Sequence, residues 1–328
     1  MKVCLIGDFS ENLDEGLKNI AHYTADYLAK RLKNDLIRID INNILLPSQV
    51  RRIRSIDPDI IHYIPGPTNK SFFLLKIIKL CLHNNSRFIL SAPHPSFNNR
   101  ILSLLNFKPD YVIASSIQMN ERMKRLRINS HLQPNGIDVS RFRPVSEFEK
   151  IKLREKYDLK NEFTVLHVGH IMAKRNLGIF KGLSTRVQSV IVASDYIKMD
   201  EDISESLNAT GCSIYKGYFK DIEEFYQLAD CYIFPVLPGD SILCPLSIME
   251  AMSCNIPVIT TGFDGIRSFF AEGNGLIFAE SEDEFLDSIE RIVDRNLHIS
   301  TREMVMQYSW ENISYNFIKI YNKMLSLE

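Results

Sequence analysis

The feature that most constrains this fold is an alternation of short apolar runs with one-sided helical stretches, repeated in two series along the chain. The first series has runs at Val3–Gly7, Leu36–Ile39, Ile60–Ile64, Phe88–Leu90 and Tyr111–Ala114. The second has Phe163–Val168, Val190–Ala193, Ser213–Tyr215, Cys231–Phe234, Pro257–Thr260 and Gly275–Phe278. Runs that are apolar on both faces suit strands of a parallel sheet covered by helices on both sides. Between the first two runs, Leu17, Ile20, Ala21, Thr24, Ala25, Leu28 and Leu32 recur at helical period, so that helix buries one face. Two such series predict an α/β protein of two doubly wound, Rossmann-like domains, and 328 residues suffice for two cores. The junction falls near residues 141–160, where Arg141-Phe142-Arg143-Pro144 gives way to a charged stretch from Glu147 to Lys160. We expect a first domain over 1–148 and a second over 149–311.

Composition narrows the class. Hydrophobic residues at 45% and charged residues at 24% are those of a soluble globular protein. The six cysteines form no CxxC pair, which argues against a disulfide framework or a metal site and for a reducing compartment. The chain opens on a strand-like run, and no apolar run is long enough to span a bilayer. The expected location is therefore the cytoplasm, including the cytoplasmic face of the membrane. Charge is uneven: residues 1–145 hold 21 Lys+Arg against 12 Asp+Glu, and residues 146–328 hold 18 against 28. A basic half either faces a membrane or an anionic acceptor, or merely solvates its helices. In it, Asn69 to Leu82 combines Phe72, Phe73, Leu74 and Leu75 with Lys70, Lys76 and Lys79. That segment reads as an interfacial helix or, preferably, as one buried on the first sheet. Arg122, Lys124, Arg125 and Arg127 form a second basic cluster.

Ligands of open α/β sheets bind beyond the carboxyl ends of the strands. With two such sheets the natural site is the cleft between them. Three segments stand there. After Gly7 a loop leads to Gly16 and the first helix, where glycine and a helix N-terminus suit a phosphate, although no GxGxxG is present. Val168-Gly169-His170 ends a strand, and Lys174-Arg175-Asn176 is expected to open the next helix as a diphosphate clamp. Glu250, in an apolar helical pattern, is a candidate for accepting ribose hydroxyls. Each has a bland reading beside it: an ordinary turn, an exposed helix start, a helix-dipole charge. Asp57-Pro58-Asp59 imitates a metal-binding DxD but precedes its strand, so it reads as a loop at the wrong end. No GxSxG and no nucleic-acid-binding motif is evident.

Together these segments resemble the retaining GT-B glycosyltransferases of the large group known as family 4, or glycosyl transferases group 1. Pro134-Asn135-Gly136-Ile137-Asp138 with Arg141-Phe142-Arg143-Pro144 is similar to that family's PNG-(V/I)-D-x-x-x-F-x-P segment. Val168-Gly169-His170 with Lys174-Arg175-Asn176 looks like its VGR…KG segment. Gly217 with Ala229-Asp230-Cys231-Tyr232-Ile233-Phe234-Pro235 looks like the stretch before its donor loop. Glu250-Ala251-Met252-Ser253-Cys254 with Pro257-Val258-Ile259 resembles EAMACG-x-PVI, and Gly265-Ile266, Glu272-Gly273 and Asn274-Gly275-Leu276 resemble the closing GG-(I/V)…NGLL. Trp310-Glu311 and the last helical pattern also fit.

The resemblance implies two domains facing each other across a cleft, with a C-terminal helix (312–328) returning to the first. It implies transfer of a hexosyl-type sugar from a UDP- or GDP-linked donor to a glycan or lipid-linked acceptor. Anomeric configuration would be retained, and no metal or other cofactor would be needed. The product would be a cell-surface polysaccharide or glycoconjugate. Gly16 would approach the donor diphosphate, and Arg175 and His170 would hold it. Leu246 and Glu250 would belong to the donor site, with Glu250 on the ribose, and the base would meet backbone near Tyr218. His94 would face the sugar; His62 recurs in the family too, in a structural or a functional role. The family's other acidic position, eight residues before Glu250, is Ile242 here, and Leu243-Cys244-Pro245 replaces a glycine loop. Asp240 is the nearest substitute carboxylate. Proline has no N–H to offer, and histidine at 170 is only partly charged near neutral pH. These departures keep two alternatives open: a silent GT-B protein that binds or scaffolds a partner, and a sugar-nucleotide epimerase.

Overall fold

The computed structural model describes every residue except 12, 14, 83–84, 94, 195–197, 238–242, 295–296 and 327–328. The described residues form two six-stranded sheets. The first contains β1 (Val3–Gly7), β2 (Leu36–Asp40), β3 (Ile60–Tyr63), β4 (Arg87–Ala92), β5 (Tyr111–Ala114) and β6 (Asn129–Leu132), in the order β2-β1-β3-β4-β5-β6. The second contains β7 (Phe163–Val168), β8 (Val187–Ala193), β9 (Ser213–Lys216), β10 (Cys231–Phe234), β11 (Val258–Thr260) and β12 (Leu276–Phe278), in the order β12-β11-β10-β7-β8-β9. All ten pairings are parallel. Strand order reverses between β1 and β3 and between β7 and β10, so the loops after those strands flank the switch points.

Each apolar run becomes a strand because both of its faces are covered. In β1, Val3 and Leu5 enter one core with Ile20, Ala21, Ala25 and Leu28 of the helix Gly16–Leu32. Cys4 and Ile6 enter the core on the opposite face, with Phe72, Leu75 and Ile78 of the helix Asn69–Cys81. Each fully buried Leu or Ile contributes roughly 1.5–3 kcal/mol. The helix Asn69–Cys81 is fixed at its start by a Thr68–Ser71 capping box and seats its apolar face on the sheet, leaving Phe73 and Leu80 exposed. This is the buried alternative of the two read from sequence. Strand β6 has no counterpart among the apolar runs: it is an edge strand, Asn-Ser-His-Leu, with no buried residue.

The closing helix, Trp310–Leu325, lies on the first sheet although it follows the second in sequence. Trp310, Ile313, Phe317, Ile320, Tyr321 and Met324 are its buried face. His62 of β3 is fully buried between Tyr321 Oη (2.6 Å from Nδ1) and Ser91 Oγ (2.8 Å from Nε2). Burial pushes its pKa down to about 3, so it sits neutral and ties the helix to the sheet. Gly136 meets the same helix: a Cβ there would lie 2.3 Å from the Trp310 ring, so any side chain must displace that ring. Backbone bonds from Ile137 N to Tyr308 O and from Trp310 N to Ile137 O, both 3.0 Å, lock that crossing.

The charged junction is the helix Glu147–Lys156, capped by a Ser146–Glu149 box. Asp230 collects it: Lys150 Nζ donates to Asp230 Oδ1 at 2.9 Å, Arg154 pairs with Oδ2, and Thr164 N donates to Oδ2 at 2.8 Å. No helix among the described residues is long and apolar enough to cross a membrane.

Candidate active site

The carboxyl ends of both sheets face one cavity of about 320 Å³. The loop after β1 and the helix behind it supply Leu13, Glu15, Gly16, Asn19 and Tyr23. The second lobe supplies Val168, Gly169 and His170 after β7, Arg175 beyond them, Gly217 and Tyr218 after β9, and Phe234 at the end of β10. Pro245, Leu246, Ser247 and Glu250 close it from the helix Leu246–Ser253. Five of the seven residues expected at the site, Gly16, His170, Arg175, Leu246 and Glu250, are brought together here. His94 and Asp240 lie outside the described residues, as does Ile242.

Glu250 projects from one turn into that helix, whose opposite face (Ile248, Met249, Ala251, Met252) is buried in the second lobe's core. Tyr226 Oη donates to Glu250 Oε2 at 2.7 Å. Burial pushes the Glu250 pKa up to about 7, partly offset by that hydrogen bond and by the Arg141 charge. The carboxyl group is therefore poised between its forms near neutral pH, with one oxygen engaged by Tyr226. Arg175 stacks over Phe234, its guanidinium carbon 4.9 Å from the ring centroid. That contact orients a planar cation on the cavity wall. Below it, His167 of β7 is fully buried, its Nδ1 3.0 Å from Ile233 O, and burial pushes its pKa down to about 3.

Arg141 links the lobes at the cavity's edge. It donates from Nη1 to Tyr23 Oη (3.1 Å) in the first lobe, from Nε to Glu223 Oε2 (2.8 Å) in the second, and from Nη2 to Lys220 O. Asn135 Nδ2 adds a bond to Cys244 O at 3.1 Å, and Leu246 packs against the first lobe's core.

The sequence profile described as "Glycosyl transferases group 1" matches residues 163–295. Those residues are thus similar to a group 1 glycosyltransferase domain. The alpha-galactosylglucosyldiacylglycerol synthase of Streptococcus pneumoniae is 23% identical over 292 residues, which cover 81% of this chain and 71% of that protein. Other curated relatives are longer, and one is matched over only 39% of its length. Among solved structures, sucrose-phosphate synthase from Thermosynechococcus elongatus superposes with a TM-score of 0.78 at 17% identity, covering all of both chains. HepE of Anabaena, solved with UDP, superposes with a TM-score of 0.75 at 14% identity, covering 98% of this chain and 100% of that one. The fold is GT-B.

Three expectations for this cleft are corrected or sharpened by the geometry. Lys174-Arg175-Asn176 does not open an α-helix: Ala173–Arg175 and Leu177–Gly182 are 3₁₀ turns, broken at Asn176 with φ 48°. No α-helix dipole stands behind Arg175, and Lys174 is exposed and does not line the cavity. At the first helix, Glu15 occupies the N-terminus, its carboxylate accepting from Leu17 N (2.7 Å) and Lys18 N (3.3 Å). Those two N–H groups are taken by an acidic cap, whereas Gly16 itself opens onto free space: a Cβ added there would meet nothing within 4 Å. Asp57 caps the helix Pro47–Ile56, and Asp59 accepts from Lys2 N at 2.7 Å. The DxD-like segment thus serves the amino end of the first sheet, as its position before β3 implied.

Sequence reasoning missed Tyr226, Tyr23 and Glu15, and it gave Arg141 no role at the cleft. The residues flanking Phe142 could have pointed to Arg141; nothing marked Tyr226, which reads as one more buried aromatic.

Proposed function

We propose that this protein transfers a hexosyl group from a UDP- or GDP-linked sugar to a hydroxyl of a glycan or lipid-linked acceptor, with retention of configuration and without a metal. The observation that carries the reading is one cavity between two lobes, lined by Glu250, which the buried Tyr226 holds, and by Arg175 and His170. A ribose offers hydroxyl donors to Glu250, and a diphosphate suits Arg175 and His170. In the transfer, the bond between the anomeric carbon and the diphosphate oxygen breaks, and its electron pair leaves with the nucleoside diphosphate. The acceptor oxygen bonds to the same carbon, and its proton passes to the departing phosphate. Arg175, and His170 when charged, oppose the charge that develops, which is electrostatic stabilisation by preorganised groups. His94, which follows β4 in the sequence, is the proposed sugar-facing histidine, and Asp240 the proposed second carboxylate. Lobe closure excludes water.

The named relatives support this class of chemistry: one is called a glycolipid synthase, and one was solved with UDP. A lipid-linked acceptor agrees with the exposed Phe73, Leu80 and Leu104 of the basic first lobe, the last 84% exposed. Incubating the protein with UDP- and GDP-hexoses and candidate acceptors, then assigning the product anomer by NMR, tests the proposal. Retained configuration in an acceptor-linked product is expected. A changed sugar nucleotide without acceptor would favour the epimerase, and nucleotide binding without turnover the silent scaffold.

A further inference from the structure

A second cavity, of about 660 Å³, opens between the lobes on the other side of the stretch that closes the first. Leu243 lines it, whereas Pro245 and Leu246 line the first cavity. Three residues of chain reach at most roughly 11 Å, so the two cavities are neighbours along one short segment. The first lobe gives this second cavity Asn99, Ser116, Arg122 and Arg125; the second gives Leu243 and Asp264. Its described charges are thus two guanidiniums against one carboxylate.

The two arginines are held differently. Arg122 is fixed: its guanidinium carbon sits 3.7 Å from the Phe97 ring centroid, Nη2 donates to Phe97 O and Asn99 Oδ1 (both 2.7 Å), and Nε donates to Asn99 Oδ1 at 3.1 Å. These bonds use Nε and Nη2 and leave Nη1 for a ligand. Arg125, one turn further along the helix Ile117–Arg125, is exposed and makes no ion pair among the described residues. The helix itself is pinned to the opposite lobe by Ile117 N donating to Ser268 Oγ at 2.9 Å. Both cations are therefore referenced to the second lobe, and through it to the donor cavity. A fixed guanidinium beside an exposed one, with a single carboxylate across the cavity, is an arrangement that receives a phosphate.

We infer that the acceptor of this enzyme carries a phosphate group, which Arg122 and Arg125 hold in the second cavity while its reacting hydroxyl extends past Leu243 toward the donor. The inference rests on the proposed transferase reading. Asp264 faces the same space and disfavours a phosphate on its own side, so the anion lies against the helix Ile117–Arg125. The phosphate belongs either to a soluble sugar phosphate or to a lipid headgroup; the chemistry at the arginines is the same.

The test measures binding of fructose 6-phosphate against fructose, and of vesicles containing phosphatidic acid against phosphatidylcholine vesicles, with UDP and GDP titrated separately. We expect one phosphate-bearing probe to bind at least about tenfold more tightly than its phosphate-free counterpart, and Arg125→Gln to remove most of that difference. Arg122→Gln should do the same, but it also frees Phe97 and Asn99; Arg125→Gln, at an exposed position, is the decisive variant. The arm that responds, sugar phosphate or vesicle, identifies the source. The inference is overturned if neither phosphate probe is preferred by the wild type, or if Arg125→Gln leaves the preference intact. Phosphate binding without any nucleotide binding would also overturn it, since an anion site would then exist with no donor to serve. Nucleotide binding with no phosphate preference would sink the inference and leave the donor reading standing.

Discussion

The two lobes are built alike and equipped unlike. Each is a six-stranded parallel sheet whose order reverses beside its first strand, and each keeps a neutral, buried histidine in a strand beside that reversal. The second lobe puts Arg175, His170 and Glu250 on the shared cavity. The first puts Glu15, Gly16 and Tyr23 there, and an acid already caps its helix. Of the cavity's described cations, Arg175 and His170 thus belong to the second lobe and Arg141 to the joint between the lobes, while the first lobe contributes shape and the second cavity's arginines. The lesson is that a duplicated scaffold does not duplicate a site: strand ends fix where a ligand can lie, and the loops decide what it is.

The largest test of this asymmetry is catalytic. Arg175→Ala should lower turnover by roughly 10²–10³, with little change in stability, because it removes a cation that opposes charge in the transition state. Glu15→Gln should lower it by far less, or raise it, and steady-state kinetics on both variants would show which lobe holds the diphosphate. An equal loss in both would break the comparison.

Next comes the joint between the lobes. Gly136→Ala must displace the Trp310 ring, and overpacking of this kind costs about 1–3 kcal/mol in denaturant unfolding. His62→Leu strands the Tyr321 and Ser91 hydroxyls in a buried place, at about 1–3 kcal/mol for each unsatisfied group. Because His62 has a folded pKa pushed down to about 3, its neutral form favours the fold above the unfolded value of about 6.5. That contribution is lost as pH falls from about 6.5 toward 3, and His62→Leu should flatten this part of the stability profile.

A smaller effect should appear at Glu250. Its pKa, pushed up to about 7, means that the fold favours the protonated form; this contribution is complete below about 4.3 and is lost as pH rises through 7. Ribose hydroxyls donate to the ionised form, so affinity for a nucleotide sugar should rise between pH 6 and 8 by up to about tenfold. Glu250→Gln should abolish that slope in calorimetric titrations. Tyr226→Phe removes one hydrogen bond, about 1 kcal/mol, and should shift the slope because the carboxylate loses its donor.

What was legible in the sequence follows the same asymmetry. Strands apolar on both faces announced themselves; β6, an edge strand with polar side chains, did not. Glu250 and Arg175 were readable because charged groups among apolar strand ends need a reason to be there. The 3₁₀ turns after β7 were not readable, because Asn176 at positive φ breaks a pattern that otherwise looks helical. Tyr226 and Tyr23 act through hydroxyls that only the packed structure aims at Glu250 and Arg141. Asp230, part of the family resemblance, proves to hold the junction helix and the start of β7 rather than to face the cavity. A motif residue can therefore mark the scaffold as readily as the site.

The most direct test of the central claim is calorimetric titration of UDP and GDP into the wild type and Glu250→Ala. One nucleotide should bind the wild type, stabilising it by about 2.7 kcal/mol at 100 times its dissociation constant, and the variant should lose the binding while remaining folded. Equal binding to both proteins, or to neither, would contradict the assignment of this cavity to the donor.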